Sequence, residues 1–446
     1  MPQARSLPPH PHLTHLRKQA KALLGVWRGG DRQILARVRE VHPRAADRWP
    51  SLADAQLVVA REYGFGSWTQ LVHYLRLPQW AQARHTLDRL SQRTRAAALT
   101  AIPAQADARI TLGSLLEGLT LAVWQAHLDG DPAVAGLVRA ALGTQQAEQT
   151  VERRLNQDDV RAFVAHEHGF SDWAVATSHR DAPVDPHFEA AADAIVAGDL
   201  EALRVLLDTH QGLARARSPF GHHATLIHYV AANGVESSRQ WQSPRNAVNI
   251  LRVLLRHGGD PDATCDVYGG GMTPLCLVVS SAHPATAGVQ AGLVEELCRG
   301  GANPDGLDND GLPLWTAITY GYPPAVDKLV ASGARVDNLV FASAAGDLAK
   351  ASAYLQRGAP PGLAARVGIR GPRLDPDHLL EYALIYSAGL GRRAVVELLL
   401  TRGPDLTVIE PVFRSTAAGA ARYHHRSDIL ALLEATIEKR GQMTGD

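Results

Sequence analysis

The chain has 446 residues, with 45 Lys plus Arg balancing 45 Asp plus Glu, and three cysteines, Cys265, Cys276 and Cys298, none in a CxxC pair. Zero formal charge removes the global field that gathers phosphate backbones or anionic membranes, and the odd cysteine count without metal spacing argues against a disulfide framework and a cysteine zinc site. Apolar runs such as "LCLVVSSA" at Leu275 fall far short of the roughly 20 residues that cross a bilayer, so a soluble, cytoplasmic protein is expected, with no nucleic-acid or membrane partner.

The chain begins "MPQARSLPPHPHLTHLRKQAK", with Pro and His where a secretory signal would carry its apolar segment. It reads as an irregular lead-in whose His10, His12 and His15 are solvated. Beyond it, "DAQLVVAREYGFGSWTQL" from Asp54 recurs as "DVRAFVAHEHGFSDWAVA" from Asp159, an offset that the numbering gives directly. Each copy predicts an amphipathic helix, a glycine suited to a left-handed cap, an aromatic folding back, and a Ser or Asp capping a second helix with Trp. His166 and His168, two apart, point to different faces and make a poor metal pair. Between the copies, "WAQARHTLDRLSQRTRAAAL" carries Arg84, Arg89, Arg93 and Arg95 along a wet face, and "LGSLLEGLTLAVWQAHL" is apolar enough for a largely buried helix.

From about Phe188 one phrase keeps returning: "LLRHGGDPD", "LCRGGANPD", "LVASGARVD", "YLQRGAPPG" and "LLTRGPDLT". Each ends a helix at a glycine, namely Gly258, Gly301, Gly333, Gly358 and Gly403, where the chain needs positive φ to leave. The partner phrases are "ATLIHYVAANG" at Ala224, "GMTPLCLVVSS" at Gly271 and "GLPLWTAITYG" at Gly311. These resemble the T-P-L-H-x-A-A-x-x-G consensus of ankyrin-repeat proteins, with Thr225, Ile227, His228, Ala231 and Gly234 matching, then Thr273, Pro274 and Leu275, then Pro313, Leu314, Ala317 and Gly321. The resemblance covers roughly 188–438. The pairing of "QLVVAREYGFGSW" with "HATLIHYVAANGVE" is similar to bacterial multi-domain ankyrin proteins of largely undefined function. It implies a binding scaffold with no catalytic residues to carry over. No cofactor and no metal are expected. The sequence departs from the consensus where Leu226 replaces the helix-opening Pro and where Cys276 and Trp315 replace the His.

The expected fold is therefore all-α: an ankyrin-type α-solenoid of about six to seven irregular repeats over 183–446, with an N-terminal helical domain over 1–182 that holds the duplicated element. Pairs should begin near Phe188, Thr225, Thr273, Leu312, Leu339, His378 and Phe413. A monomer is expected.

"FGHHATLIHYVAANG" places His222, His223 and His228 within seven positions. On the repeat frame His228 supports the neighbouring turn, while His222 and His223 sit on a hairpin tip and point apart. "YGGGMTPL" lacks the Lys and spacing of a phosphate loop. No nucleophile or metal motif appears, so the chain is not expected to be an enzyme, and its function is expected to be binding of another protein through a concave groove and an insertion edge. Insertions at 235–249 and 282–290 decorate that edge, and "PPGLAARVGIRGPRLDP" adds Arg366, Arg370 and Arg373. The candidate partner-binding residues are Trp241, Arg239, His222, Tyr268, Asn309, Tyr320 and Tyr322, with Trp241 the leading anchor because buried aromatics and Arg dominate interface energies. The rival expectation is a metal-dependent enzyme or metal-binding protein built on His222, His223, His228 and His283.

Overall fold

The computed structural model describes residues 13–42, 49–63, 68–75, 90, 92, 94, 110–129, 134, 138, 155–236, 239–240, 242–357 and 374–443. Among them are helices and three isolated bridges, with no strand. No helix among them is long and apolar enough to cross a membrane. Two compact units result, one from Met1–Thr100 with Ser114–Val164, the other from Ala101–Gly113 with Ala165–Asp446.

In the first unit, Leu16, Ala20, Leu23 and Trp27 recur every three or four residues, so the Leu13–Arg28 helix turns one apolar stripe inward. That stripe packs against Leu52–Glu62, which supplies Ala55, Val58 and Val59. Ser51 and Asp54 close a reciprocal capping box at the start of this second helix. The second copy of the duplicated element repeats the device with Asn156 and Asp159, each accepting the other's backbone N–H at 2.9 Å. The duplication thus extends to its helix starts.

Copy two continues as expected: helix Gln157–Glu167, Gly169 at φ +79°, then Asp172 capping Trp173–Ser178 by accepting from Val175 N. The corresponding corner of copy one, 64–67, lies outside the described residues. The duplicated element divides between the units, since residues up to Val164 belong to the first and those from Ala165 to the second. Within the second unit the corner is seated on the first hairpin tip. Gly221 N donates to His168 O at 3.0 Å, and a Cβ on Gly221 would lie 2.5 Å from Gly169 O. Only glycine permits backbones this close.

Seven pairs of segments follow among the described residues: Pro186–Ala197 with Leu200–Thr209, Leu226–Ala231 with Ala247–Arg256, Pro274–Ser280 with Gln290–Arg299, Leu312–Thr319 with Pro323–Ala331, Leu339–Ala345 with Leu348–Arg357, Leu379–Leu390 with Arg393–Leu400, and Ala417–Tyr423 with Ser427–Met443. Each first segment packs on the first segment of the next pair, so one continuous core is buried that no pair could bury alone. The expected terminators Gly258, Gly301, Gly333 and Gly403 all have φ between +72° and +108°; Gly358 lies outside the described residues.

Two features differ from expectation. The segment opened by Thr225 is a 3₁₀ turn of six residues rather than an α-helix, because His228 reaches back to Thr225 and Ala232 leaves in the left-handed region. The last pair begins at Ala417, capped by Thr416, and leaves Phe413 in the loop before it. Trp315, standing where the consensus carries His, is fully buried and meets Phe341 and Tyr386 at ring separations of 6.2 and 5.1 Å. Such aromatic contacts add about 1 kcal/mol to the burial itself.

Candidate functional site

The three histidines that opened the metal reading are held apart by local hydrogen bonding. Thr225 N donates to His228 Nδ1 at 3.1 Å, which leaves the proton on Nε2, 3.0 Å from Ala263 O. Both nitrogens are occupied by backbone, and burial pushes the imidazole pKa down to about 4. His223 stands outward with Nδ1 2.9 Å from Asp266. His222 turns inward. No group of three or more His, Cys, Asp or Glu side chains among the described residues is placed to hold a metal. The rival metal reading is therefore not supported.

His222 instead borders a buried charged knot. Ala224 N donates to its Nδ1, and its Nε2 faces Glu236 Oε1 at 3.5 Å. Arg239, 0% exposed, donates to Glu189 Oε2 and Asp193 Oδ1, both at 2.8 Å, and to Glu236 Oε1 at 3.1 Å. Tyr229 adds its hydroxyl to Glu236 at 2.6 Å and its ring to the guanidinium face. Burial works against the Glu236 charge, yet Arg239 and His222 hold its pKa well below the ordinary carboxylate value. Arg239 and His222, expected on the partner surface, thus spend their polar atoms inside the fold, and this corrects their assignment as anchors. The reason is the company they keep: a guanidinium satisfied by three carboxylates is more stable in the interior than unpaired there. Trp241, the leading candidate, lies outside the described residues, as do Arg84, Arg89, Arg93, Arg95, Arg366, Arg370 and Arg373.

Of the remaining candidates, Tyr268, Asn309 and Tyr320 are exposed, and Tyr322 is half-buried against the core. Tyr268 is 49% exposed at φ +50°, its hydroxyl donating to Asn233 Oδ1 at 2.7 Å and its ring covering Gly234. Asn309, at φ +51°, accepts from Asn303 Nδ2 at 3.0 Å, and its carbonyl accepts from Arg335. Tyr320 lies nearly parallel to Tyr322, with interplanar angle 10° and centroids 6.5 Å apart. Proximity to Tyr320 raises the pKa of Tyr268 after burial, and Tyr320 and Tyr423 do the same for Tyr322. Tyr320 and Tyr322 thus begin an aromatic ridge, with Tyr268 near enough to Tyr320 to feel its charge and Asn309 standing apart from the rings.

Two members of that ridge were not among the expected residues. Phe413, 57% exposed, meets Tyr320 edge to face at 5.6 Å, and Tyr423, 79% exposed, stands at right angles to His424 at 5.0 Å. Phe413 is held outward by its loop. The buried Glu410 accepts backbone N–H bonds from Val412, Phe413 and Ser415 and a hydroxyl from Tyr386 at 3.1 Å, so the 410–415 turn is fixed from inside. A rigidly presented aromatic loses little freedom on binding, and such residues dominate interface energies.

A cleft of about 470 Å³ lies between Arg215, Arg217 and Gly258–Ala263. Its arginines donate to Gly258 O, His223 O and Thr264 O, stitching adjacent turns together.

No family model matches the chain, and no curated protein matches it. Among solved structures, the crystal structure of the human ASB11 ankyrin repeat domain is similar over 56% of this chain and 97% of that one, at 18% sequence identity and a TM-score of 0.31.

Proposed function

We propose that the second unit is a non-catalytic scaffold that binds another protein, and that the aromatic ridge is its contact surface. The observation that supports this best is the edge-to-face contact of Tyr320 and Phe413, two exposed rings from sequence-distant repeats, each held in place by its own turn. A soluble chain keeps several large aromatics together on its surface at a cost in solubility, and grouped aromatics of this kind mark interaction sites. Tyr268 and Tyr322 extend the surface, and Asn309 stands at a neighbouring hairpin tip with its backbone held in the left-handed region. Trp241 and the insertion edge remain part of the proposal as flanking contacts. The partner is a protein rather than a nucleic acid or membrane, and the scaffold acts as a monomer in the cytoplasm without a cofactor.

The test is a selection from a displayed library of peptides of about twelve residues, long enough to span about 40 Å when extended, against the intact chain. Replacing Tyr320 and Phe413 together by Ala should weaken the selected ligands by about thirtyfold or more, roughly 2 kcal/mol. Thermal unfolding should barely change. Ligands that bind the double variant as tightly as the parent would refute the reading.

A further inference from the structure

Resting on that reading, we infer that the partner presents an acidic segment, with carboxylates flanking an apolar or aromatic side chain. The carrying observation is the way charge is distributed beside the ridge. Three arginines of the last repeats have acidic partners: Arg392 reaches Asp327, Arg422 reaches Glu434 at 2.9 Å, and Arg393 reaches both Glu397 and Asp428. In the turns that follow Phe413 and Tyr423 the pairing stops. Arg414, His425 and Arg426 have no carboxylate of the described residues within ion-pair distance, and Arg414 and His425 are exposed. Arg426 donates its Nε to Gly389 O at 3.1 Å, which fixes its position without neutralising it.

The one acidic group in this loop is turned away from the surface. Glu410 is buried and its two oxygens are taken by backbone amides and the Tyr386 hydroxyl, so it offers Arg414 no outward partner. The local field is correspondingly positive. His424, whose ring lies over Gly321 and Gly389, has its pKa lowered by burial and then by Arg426 and His425.

Backbone conformation supplies a second, independent observation. Arg414 and His425 both adopt positive φ, +56° and +57°, a region that side-chain-bearing residues enter only at a cost and that collects at functional sites. Glycine would relieve the backbone at either position. The turn instead carries a basic side chain close in sequence to an exposed ring at both places, Arg414 after Phe413 and His425 two residues after Tyr423. Aromatic rings beside unpaired guanidinium groups and a hydrogen-bonding imidazole are complementary to an apolar side chain flanked by carboxylates, through burial of the former and attraction to the latter. A phosphodiester backbone fits less well. It asks for a long basic stripe, whereas the chain as a whole carries no net charge.

The experiment uses the full chain and the peptide selection described above, without bias in the library. Enriched ligands should carry an excess of Asp and Glu around an aromatic or aliphatic residue. One such ligand, resynthesised with a fluorescent label, should bind about tenfold more weakly to the Arg414→Glu, His425→Glu double variant, the expected size of two exposed ion pairs. A matched peptide with Lys in place of its acids should regain affinity for that variant, which shows that the variant is folded. Ligands that need Tyr320 and Phe413 but show no acidic excess, and that bind the charge-reversed variant unchanged, overturn the inference and leave the scaffold reading standing. Ligands indifferent to Tyr320 and Phe413 overturn both. Tighter binding of a labelled single-stranded oligonucleotide than of any selected peptide also overturns the inference, in favour of nucleic acid.

Discussion

Of the glutamates buried in the repeat array, Glu236 and Glu410 each accept a hydrogen bond from a tyrosine, Tyr229 and Tyr386. The loops around them then go opposite ways. Around Glu236 the balancing donors are side chains, chiefly Arg239. Around Glu410 they are main-chain amides of the loop itself. A carboxylate satisfied by a side chain removes that side chain from the surface, whereas one satisfied by backbone leaves the neighbouring side chains free to face water. The first loop consequently hides a charge, and the second displays Phe413 and Arg414.

The strongest attempt to break this contrast is Arg239→Ala. It leaves Glu189, Asp193 and Glu236 facing one another without their shared cation, so the unfolding free energy should fall by about 3–5 kcal/mol in urea titration. A loss under about 1 kcal/mol would mean that water takes over the arginine's role and that the knot is not an interior feature.

Next in size is a pH effect confined to the first region. His228 titrates at about 4 when folded against an ordinary 6.5, so between those values the unfolded chain binds the extra proton. Stability is full above pH 6.5 and falls as pH drops toward 4, by at most about 3 kcal/mol from this residue. His228→Gln should flatten that slope, seen by comparing denaturation midpoints of the two proteins at pH 7 and pH 4.5. An unchanged slope would remove His228 from the account.

In the second region, Glu410→Gln replaces an acceptor of three amides by a group with one carbonyl and a competing donor. The expected loss is about 1–3 kcal/mol, with faster hydrogen exchange at Val412, Phe413 and Ser415 as the local sign. Smallest is Arg414→Gly, which exchanges left-handed strain against glycine's extra chain entropy. Stability should shift by no more than about 1 kcal/mol either way, while affinity for an acidic ligand drops.

The legible parts of the fold were those written in short stretches. Glycine terminators, the Thr-Pro opening at Thr273 and the repeated "GF" corner each act within a few residues, so the paired helices and their approximate starts could be read directly. Tyr268, Asn309, Tyr320 and Tyr322 were read as tips and helix ends for the same reason, although Tyr322 turns partly into the core. Arg239 was not legible, because its interior position depends on Glu189 and Asp193, some fifty residues away, and a polar insertion gives no local hint of such partners; His222 was not legible because it turns inward toward Glu236, beyond its own hairpin tip. Phe413 was read as the start of the last pair, since its apolar neighbours suggest a helix, and so its outward ring was missed. The signal available was Glu410 within "VIEPVF", an acid amid apolar residues, which is how a buried acceptor organising a turn is written.

The contact between Gly169 and Gly221 bears on how the molecule can be divided. A recombinant fragment cut at 183 would discard the corner that covers Phe220 and accepts the Gly221 amide, stripping the array of its leading cap. Starting instead at Leu155 keeps that cap together with the whole helix Gln157–Glu167 and its Asn156 and Asp159 capping bonds, and gives up the short bonds that 110–113 make with 180–184. The second copy of the duplicated corner is, in that sense, a lid for the repeats that follow it in the chain.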